Sequence, residues 1–198
     1  MRPGIFVAFE GIDVSGKSTQ ARRVADLHEA LFTFEPGDTP LGRDLRHWLL
    51  DAATPMEPAT EALLMLADRS HHVRSVIEPT LAAGRSVVTD RFFASTLAYQ
   101  GYGRGVDLRL LRAASELAIG ACVPDLTILL DVPLEVVNER RARDRRDRFE
   151  AEDLAFHRRV REGYLELADE YRWAIVDGSL GEADVAAAID ERVANLAW

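Results

Sequence analysis

The sequence predicts an α/β fold, a five-stranded parallel sheet flanked by helices, and three observations carry this expectation. Short runs rich in Val, Ile, Leu and Phe recur along the 198 residues, a longer stretch of helical periodicity follows each, and several runs stop on an acidic residue. The expected strands are Ile5–Phe9, Leu31–Glu35, Ser86–Asp90, Leu126–Asp131 and Trp173–Asp177. Between them, helices are expected at Lys17–Ala30, Leu41–Asp51, Pro58–Ala83, Ala94–Gln100, Asp107–Gly120, Leu134–Arg143, Ala151–Tyr171 and Ala183–Ala197. Pro36-Gly37-Asp38, Ala83-Gly84 and Gly101-Tyr102-Gly103-Arg104-Gly105 read as loops. No repeat and no long Ser/Pro-rich linker interrupts the pattern, so one domain over residues 1–198 is expected.

Composition narrows the function classes. With 47% hydrophobic and 29% charged residues the chain has the make-up of a compact soluble domain, and no apolar run reaches the roughly 18 residues of a membrane helix. No membrane association is expected, and the location expected is cytoplasmic. The single cysteine, Cys122, can form neither an intrachain disulfide nor a multi-cysteine metal site, and reads as packing. A net charge of −9 disfavours nucleic acid as a partner, so an anionic ligand would need a locally positive pocket.

One such element follows the first strand. Gly11-Ile12-Asp13-Val14-Ser15-Gly16-Lys17-Ser18 fits the phosphate-loop pattern G-x-x-x-x-G-K-[ST], and Thr19 onward continues as a helix. Glycines let backbone N–H groups converge on a phosphate, and the helix N-terminus adds its positive end. Lys17 can then reach the β- and γ-oxygens, and Ser18 can ligate Mg²⁺. Lys17 is the only lysine among 24 basic residues, the compact ammonium kept where a point charge suits phosphate. Residues 11–19 are therefore expected to bind ATP within a P-loop NTPase fold.

Two further segments have double readings. Asp90, ending the run Ser86–Asp90, can meet Mg²⁺ beside Ser18 or cap the helix that follows; Arg91 would share the same crevice. Asp131 is ambiguous in the same way. Arg140–Arg148 holds six arginines and two aspartates, either a solvated helix end or a mobile flap closing over a triphosphate.

These segments together resemble the thymidylate kinase family, in its bacterial type with a basic flap, here about residues 141–150. The residues carrying the resemblance are Phe9–Asp13, Gly16–Gln20, Glu35-Pro36-Gly37, Ala67-Asp68-Arg69 with His72-Val73, Asp90-Arg91, Ser95–Gly101, Pro124–Thr127, Asp147-Arg148 and Tyr164–Ala168. The resemblance spans nearly the whole chain. It implies transfer of the ATP γ-phosphoryl to dTMP, giving dTDP and ADP, with Mg²⁺ held by Ser18 and Asp90, in a homodimer. It further implies Asp13, Lys17, Arg91, Arg145 and Arg148 as the catalytic set. The acceptor site would comprise Asp13, Glu35, Pro36, Met65, Arg69, Arg91, Ser95, Thr96, Tyr99 and Gln100. Within it Arg91 would grip the acceptor phosphate, Arg69 the thymine edge, Thr96 and Gln100 the base, and Tyr99 the deoxyribose.

Residue chemistry alone leaves blander readings open: Tyr99 as a core aromatic, Arg69 as a surface ion pair, and His71-His72 as helix-surface packing. The chain also departs from the family pattern. Phe34 and Asp38 replace an arginine and a glycine near the acceptor phosphate, Met65 stands where a phenylalanine stacks on the base, Leu27–Leu31 is short, and Val14 is not an arginine. Two other functions compete with the main one. A P-loop kinase for another acceptor is disfavoured by Asp90-Arg91, which suits an anionic acceptor; a non-catalytic ATP-binding switch would show no acceptor dependence.

Overall fold

The computed structural model describes residues 4–51, 53–141, 149 and 152–198, and of Arg141 only the backbone. Five parallel strands, β1 (Phe6–Glu10), β2 (Leu31–Phe34), β3 (Val87–Asp90), β4 (Leu126–Asp131) and β5 (Ala174–Asp177), form one sheet in the order β2-β3-β1-β4-β5. Each was expected from its apolar run to within one residue at either end.

Strand alternation decides what covers each face. Val7 and Phe9 of β1, with Val88, Ile128, Leu130 and Val176, pack beneath helices α1 (Lys17–Leu27) and α9 (Glu182–Val193). Phe6 and Ala8 point the other way, into a cluster with Val73, Ile77 and Phe92, while Leu129 joins Leu97, Val160 and Leu167. Both faces of the central strands are buried, which is why they read as continuous apolar runs.

The remaining helices are α2 (Pro40–Leu50), α3 (Pro58–His72), α4 (Glu78–Ala82), α5 (Phe93–Thr96), α6 (Leu108–Ile119), α7 (Leu134–Arg141) and α8 (Leu154–Tyr171). Several helix ends shift by up to four residues, and two expected segments change in kind. The helix expected over Pro58–Ala83 carries a π-helical turn at Val73–Ile77 between α3 and α4. Pro79, which lacks an N–H and crowds the carbonyl four residues earlier, accounts for the widened ladder. The segment expected to become a loop at Gly101 instead stays π-helical over Leu97–Gly103. Close packing explains why glycines serve there: a Cβ on Gly103 would lie 2.6 Å from Phe156, and one on Gly101 2.4 Å from Leu108.

Connections leave β1 toward β3 on one side and β4 on the other, so a crevice opens beyond the carboxyl end of β1. Register brings the motifs together there. Phe9 pairs with Asp90, and Arg91 N–H extends the ladder to the Phe9 carbonyl at 2.8 Å.

Candidate active site

The phosphate loop turns immediately after Glu10. Gly11, at φ 145°, lies where a Cβ would stand 2.6 Å from the Leu130 carbonyl oxygen; Gly16, at φ 89°, starts α1. Val14 takes the left-handed region at φ 57° without being glycine, local strain of the kind stored at functional sites. Lys17 folds back over the loop, donating to the Ile12 carbonyl at 3.2 Å and standing 3.9 Å from Asp13 Oδ1. Burial pushes its pKa down and Arg91 adds to this, against the pull of Asp90, Asp13 and Glu10. The loop opens on a cleft lined by Val14, Ser15, Gly16 and Thr19 together with Gln20, Arg140 and Gly178. Ile12 differs from its neighbours: its side chain is buried in the core, and only its backbone faces the site.

Across the crevice Ser18 Oγ donates to Asp90 Oδ2, so the two residues expected to hold a metal are in contact. Asp90 Oδ1 is buried and has no hydrogen-bond partner among the described residues. A hard oxygen ligand with no donor beside it suits a divalent cation, so Ser18 and Asp90 fit Mg²⁺.

Arg91 is held from every side. Its Nη2 donates to Asp13 Oδ1 at 2.5 Å and Tyr99 OH at 3.3 Å, and its Nη1 reaches the Gly11 carbonyl at 3.0 Å, Ser95 Oγ at 3.1 Å and Tyr164 OH at 3.1 Å. Its backbone sits at φ 73°, a second left-handed non-glycine position in the same crevice. Burial works against the guanidinium charge, but Tyr99, Asp13, Tyr164 and Asp90 raise its pKa well above the usual value. Tyr99 donates to Asp13 Oδ2 at 2.7 Å, closing a triangle of Asp13, Arg91 and Tyr99. Beneath it lies Glu10, fully buried, which accepts from Phe92 N, Ser95 Oγ and Tyr164 OH. Burial raises the Glu10 pKa, while Ser95 and Arg91 oppose the shift.

A second cleft adjoins this triangle. All ten residues expected at the acceptor site line it: Asp13, Glu35, Pro36, Met65, Arg69, Arg91, Ser95, Thr96, Tyr99 and Gln100. Arg46, Leu50 and Phe149 line it too, and sequence reasoning missed them. Arg46 donates to the Pro36 carbonyl at 2.6 Å and lies over the Phe34 ring, so α2 brings a guanidinium to the place where Phe34 removes one.

Arg69 is 2% exposed, which overturns the surface ion-pair reading. It donates from Nε to Glu35 Oε2 at 2.7 Å, from Nη1 to Thr96 Oγ1 at 2.7 Å and from Nη2 to the Phe92 carbonyl at 2.9 Å. Glu35 also meets His72 Nδ1 at 2.9 Å; burial alone would raise its pKa, and Arg69 with His72 holds it below the usual carboxylate value. His72 is likewise not at the helix surface. It is fully buried, with Nε2 2.6 Å from Thr33 Oγ1, and Thr33 in turn bonds Asp38. The core-aromatic and site readings of Tyr99 prove compatible, since the ring packs at 5.6 Å on Phe149 while the hydroxyl faces Asp13.

Asp131 resolves to a structural role, accepting two bonds from Arg161 at 2.6 and 2.7 Å. Arg140 at the end of α7 donates to the Val14 carbonyl at 3.2 Å and the Gly178 carbonyl at 2.9 Å, bracing the phosphate loop. Arg143, Arg145 and Arg148 and the Arg141 side chain lie outside the described residues.

Comparison with known proteins agrees with this geometry. The family model described as Thymidylate kinase matches residues 9–189. The chain is 48% identical to thymidylate kinase of Carboxydothermus hydrogenoformans over 181 residues, covering 88% of this chain and 89% of that protein. It is 45% identical to thymidylate kinase of Geobacter sulfurreducens over 208 residues, covering 97% of both. Among solved structures, the crystal structure of thymidylate kinase from Ehrlichia chaffeensis superposes with a TM-score of 0.80 at 31% identity, covering 97% of this chain and 99% of that one.

Proposed function

The chain belongs to the thymidylate kinase family, and we propose that its two adjoining clefts transfer the γ-phosphoryl of ATP to dTMP, giving dTDP and ADP, as follows. The observation that carries the assignment of roles is the Asp13–Arg91–Tyr99 triangle, because Asp13 belongs to the phosphate loop and also lines the acceptor cleft. Donor and acceptor phosphates therefore meet at Arg91.

Residues 11–19 cradle the ATP phosphates, with Lys17 on the β- and γ-oxygens. Ser18 and Asp90 would hold Mg²⁺, which when bound supplies charge neutralisation at those oxygens. The dTMP phosphate lies against Arg91, with Ser95 beside it. A phosphate monoester with a second pKa near about 6 is already ionised at neutral pH, so the attacking oxygen needs no general base. Asp13 accordingly serves to align Arg91 and Tyr99 and not to abstract a proton. Met65 and Thr96 enclose the base together with Arg69 and Gln100, and Glu35 with Pro36 closes the cleft. Arg145 and Arg148, on the flap, donate to the γ-oxygens as charge spreads over them in the transition state.

The 198 residues act as one kinase domain. Leu63 on α3 and Leu110 and Leu117 on α6, two helices that pack on each other, are 65%, 69% and 82% exposed and support a homodimer formed across that face. Among the described residues no helix is long and apolar enough to cross a membrane, consistent with a cytoplasmic location. The test is ADP release measured with ATP against dTMP, dUMP, dCMP, dAMP and dGMP. Release should require an acceptor and be fastest with dTMP, and Lys17→Met should lower it by orders of magnitude with the fold retained. Acceptor-independent ADP release would point to an ATP-hydrolysing switch.

A further inference from the structure

Gln100 lines the acceptor cleft, and a side-chain amide there can present either its oxygen or its nitrogen to a base. The structure decides between them at a residue outside the cleft. Gln100 Nε2 donates to Glu61 Oε1 at 2.7 Å, and Glu61 is fully buried on α3. An ionised carboxylate only accepts, so the nitrogen must be the atom that turns toward it. Arg104 keeps Glu61 in that accepting role: its Nε lies 3.4 Å from the same Oε1, while its Nη1 is anchored on Glu152 at 2.5 Å. The Gln100 Oε1 is thereby turned away from Glu61.

We propose that Glu61 is a specificity-determining positioning residue, which fixes the Gln100 amide so that its oxygen, not its nitrogen, reads the acceptor base. This rests on the reading that the base of dTMP occupies the cleft between Arg69 and Gln100. Arginine can only donate, and an amide held by its nitrogen offers an acceptor. The wall therefore presents donor and then acceptor, the complement of a pyrimidine edge carrying a carbonyl oxygen and a ring N3–H. Thymine and uracil have that edge. Cytosine carries an amino group and a bare N3, so it would face donor against donor at Arg69 and acceptor against acceptor at Gln100. Buried polar groups left facing like partners reject a ligand far more strongly than a missing methyl does.

The test compares kcat/KM for dTMP and dCMP in the parent, Glu61→Leu and Glu61→Gln. Leucine removes the acceptor and lets the amide turn, so the dTMP-over-dCMP ratio should fall at least about tenfold. Glutamine still offers an oxygen to Gln100, so Glu61→Gln should stay within about threefold of the parent. Parallel loss of both activities in Glu61→Leu, with the ratio unchanged, would be the mark of a merely structural role and would overturn the proposal. A measurement on the unaltered protein guards against a leucine variant that does not fold. A dTMP analogue with ring N3–H replaced by C–H should compete at least about tenfold less well than dTMP. Equal binding of that analogue overturns the proposal whatever the variants do. If the parent does not prefer dTMP at all, the reading of the cleft fails; if it does and the Glu61 variants keep the parent's ratio, only the role of Glu61 falls.

Discussion

Asp13 Oδ1 lies 2.5 Å from Arg91 Nη2, a contact between residues 78 positions apart that joins the phosphate loop to the end of β3. The contact follows from strand register, since Phe9 pairs with Asp90 and the chains on either side turn into the same crevice. Its consequence is that the Arg91 guanidinium is held in place, which under the proposed function means before the acceptor phosphate meets it. Preorganised charge of this kind contributes to catalysis without reorganisation at the moment of reaction.

Arg91→Ala should therefore lower kcat/KM for dTMP at least about 100-fold, because it strips a charge-assisted contact from a dianionic phosphate. Arg69→Ala should cost less turnover and instead blunt the preference for dTMP over dCMP. Steady-state kinetics of both variants check this division. Equal losses, with base preference intact in the Arg69 variant, would contradict it.

Met65 lines the acceptor cleft and also packs on the core cluster that includes Leu97 and Tyr99. A thioether offers contact but no flat face, so Met65→Phe should tighten dTMP binding by about 0.5–1.5 kcal/mol, visible mainly as a lower KM. Unchanged or weaker dTMP affinity in a folded variant would place Met65 in the core alone.

Asp68 is buried beside Glu35, and burial with the Glu35 charge pushes its pKa from 3.8 up to about 6. Between about pH 4 and 6 the folded chain thus holds a proton that the unfolded chain has released, so this group's contribution to stability falls as pH rises through that window. Above pH 6 the cost levels off, at most about 3 kcal/mol for a two-unit shift. Asp68→Asn should remove that cost and still accept from the Gly37 N–H. Thermal melts from pH 4 to 8 should show the variant gaining a few degrees over the parent at pH 7 and losing that advantage near pH 4. A difference independent of pH would mean that the Asp68 charge is not responsible.

Val14 cannot supply a catalytic arginine from the phosphate loop, and the proposed function assigns that role to Arg145 and Arg148. Single replacement of Arg141, Arg143, Arg145 and Arg148 by alanine should give one or two variants, Arg145 and Arg148 foremost, with kcat lowered at least about 100-fold and dTMP KM nearly unchanged. That pattern marks an interaction made only in the transition state. Retention of kcat within a few-fold by all four singles and the quadruple variant would leave the run a solvated helix end.

What the sequence by itself determined was whatever depends on short-range pattern. Apolar runs bounded by loops mark strands because a parallel strand buried on both faces needs them, and the glycines and lone Lys17 mark a phosphate loop because only that spacing lets backbone amides converge. Ten residues that line the second cleft were legible as a group too, through resemblance, though not their contacts. Only the tertiary structure decided which side chains are buried partners of the site. Glu61 carries no signal, and the resemblance that includes Glu10, His72 and Tyr164 gives none of them a partner, since a polar residue on a helix or at a strand end looks the same whether it faces solvent or a buried network. Arg46 and Arg104 were two arginines among 23 until α2 and the π-helical segment ending at Gly103 carried them to the acceptor cleft and to Glu61. Pairings across 30 to more than 150 positions, such as Gln100 with Glu61 or Tyr164 with Glu10, arise from sheet order and helix packing. Local sequence cannot encode them visibly, because each partner satisfies its hydrogen bonds only when the whole sheet has placed the other.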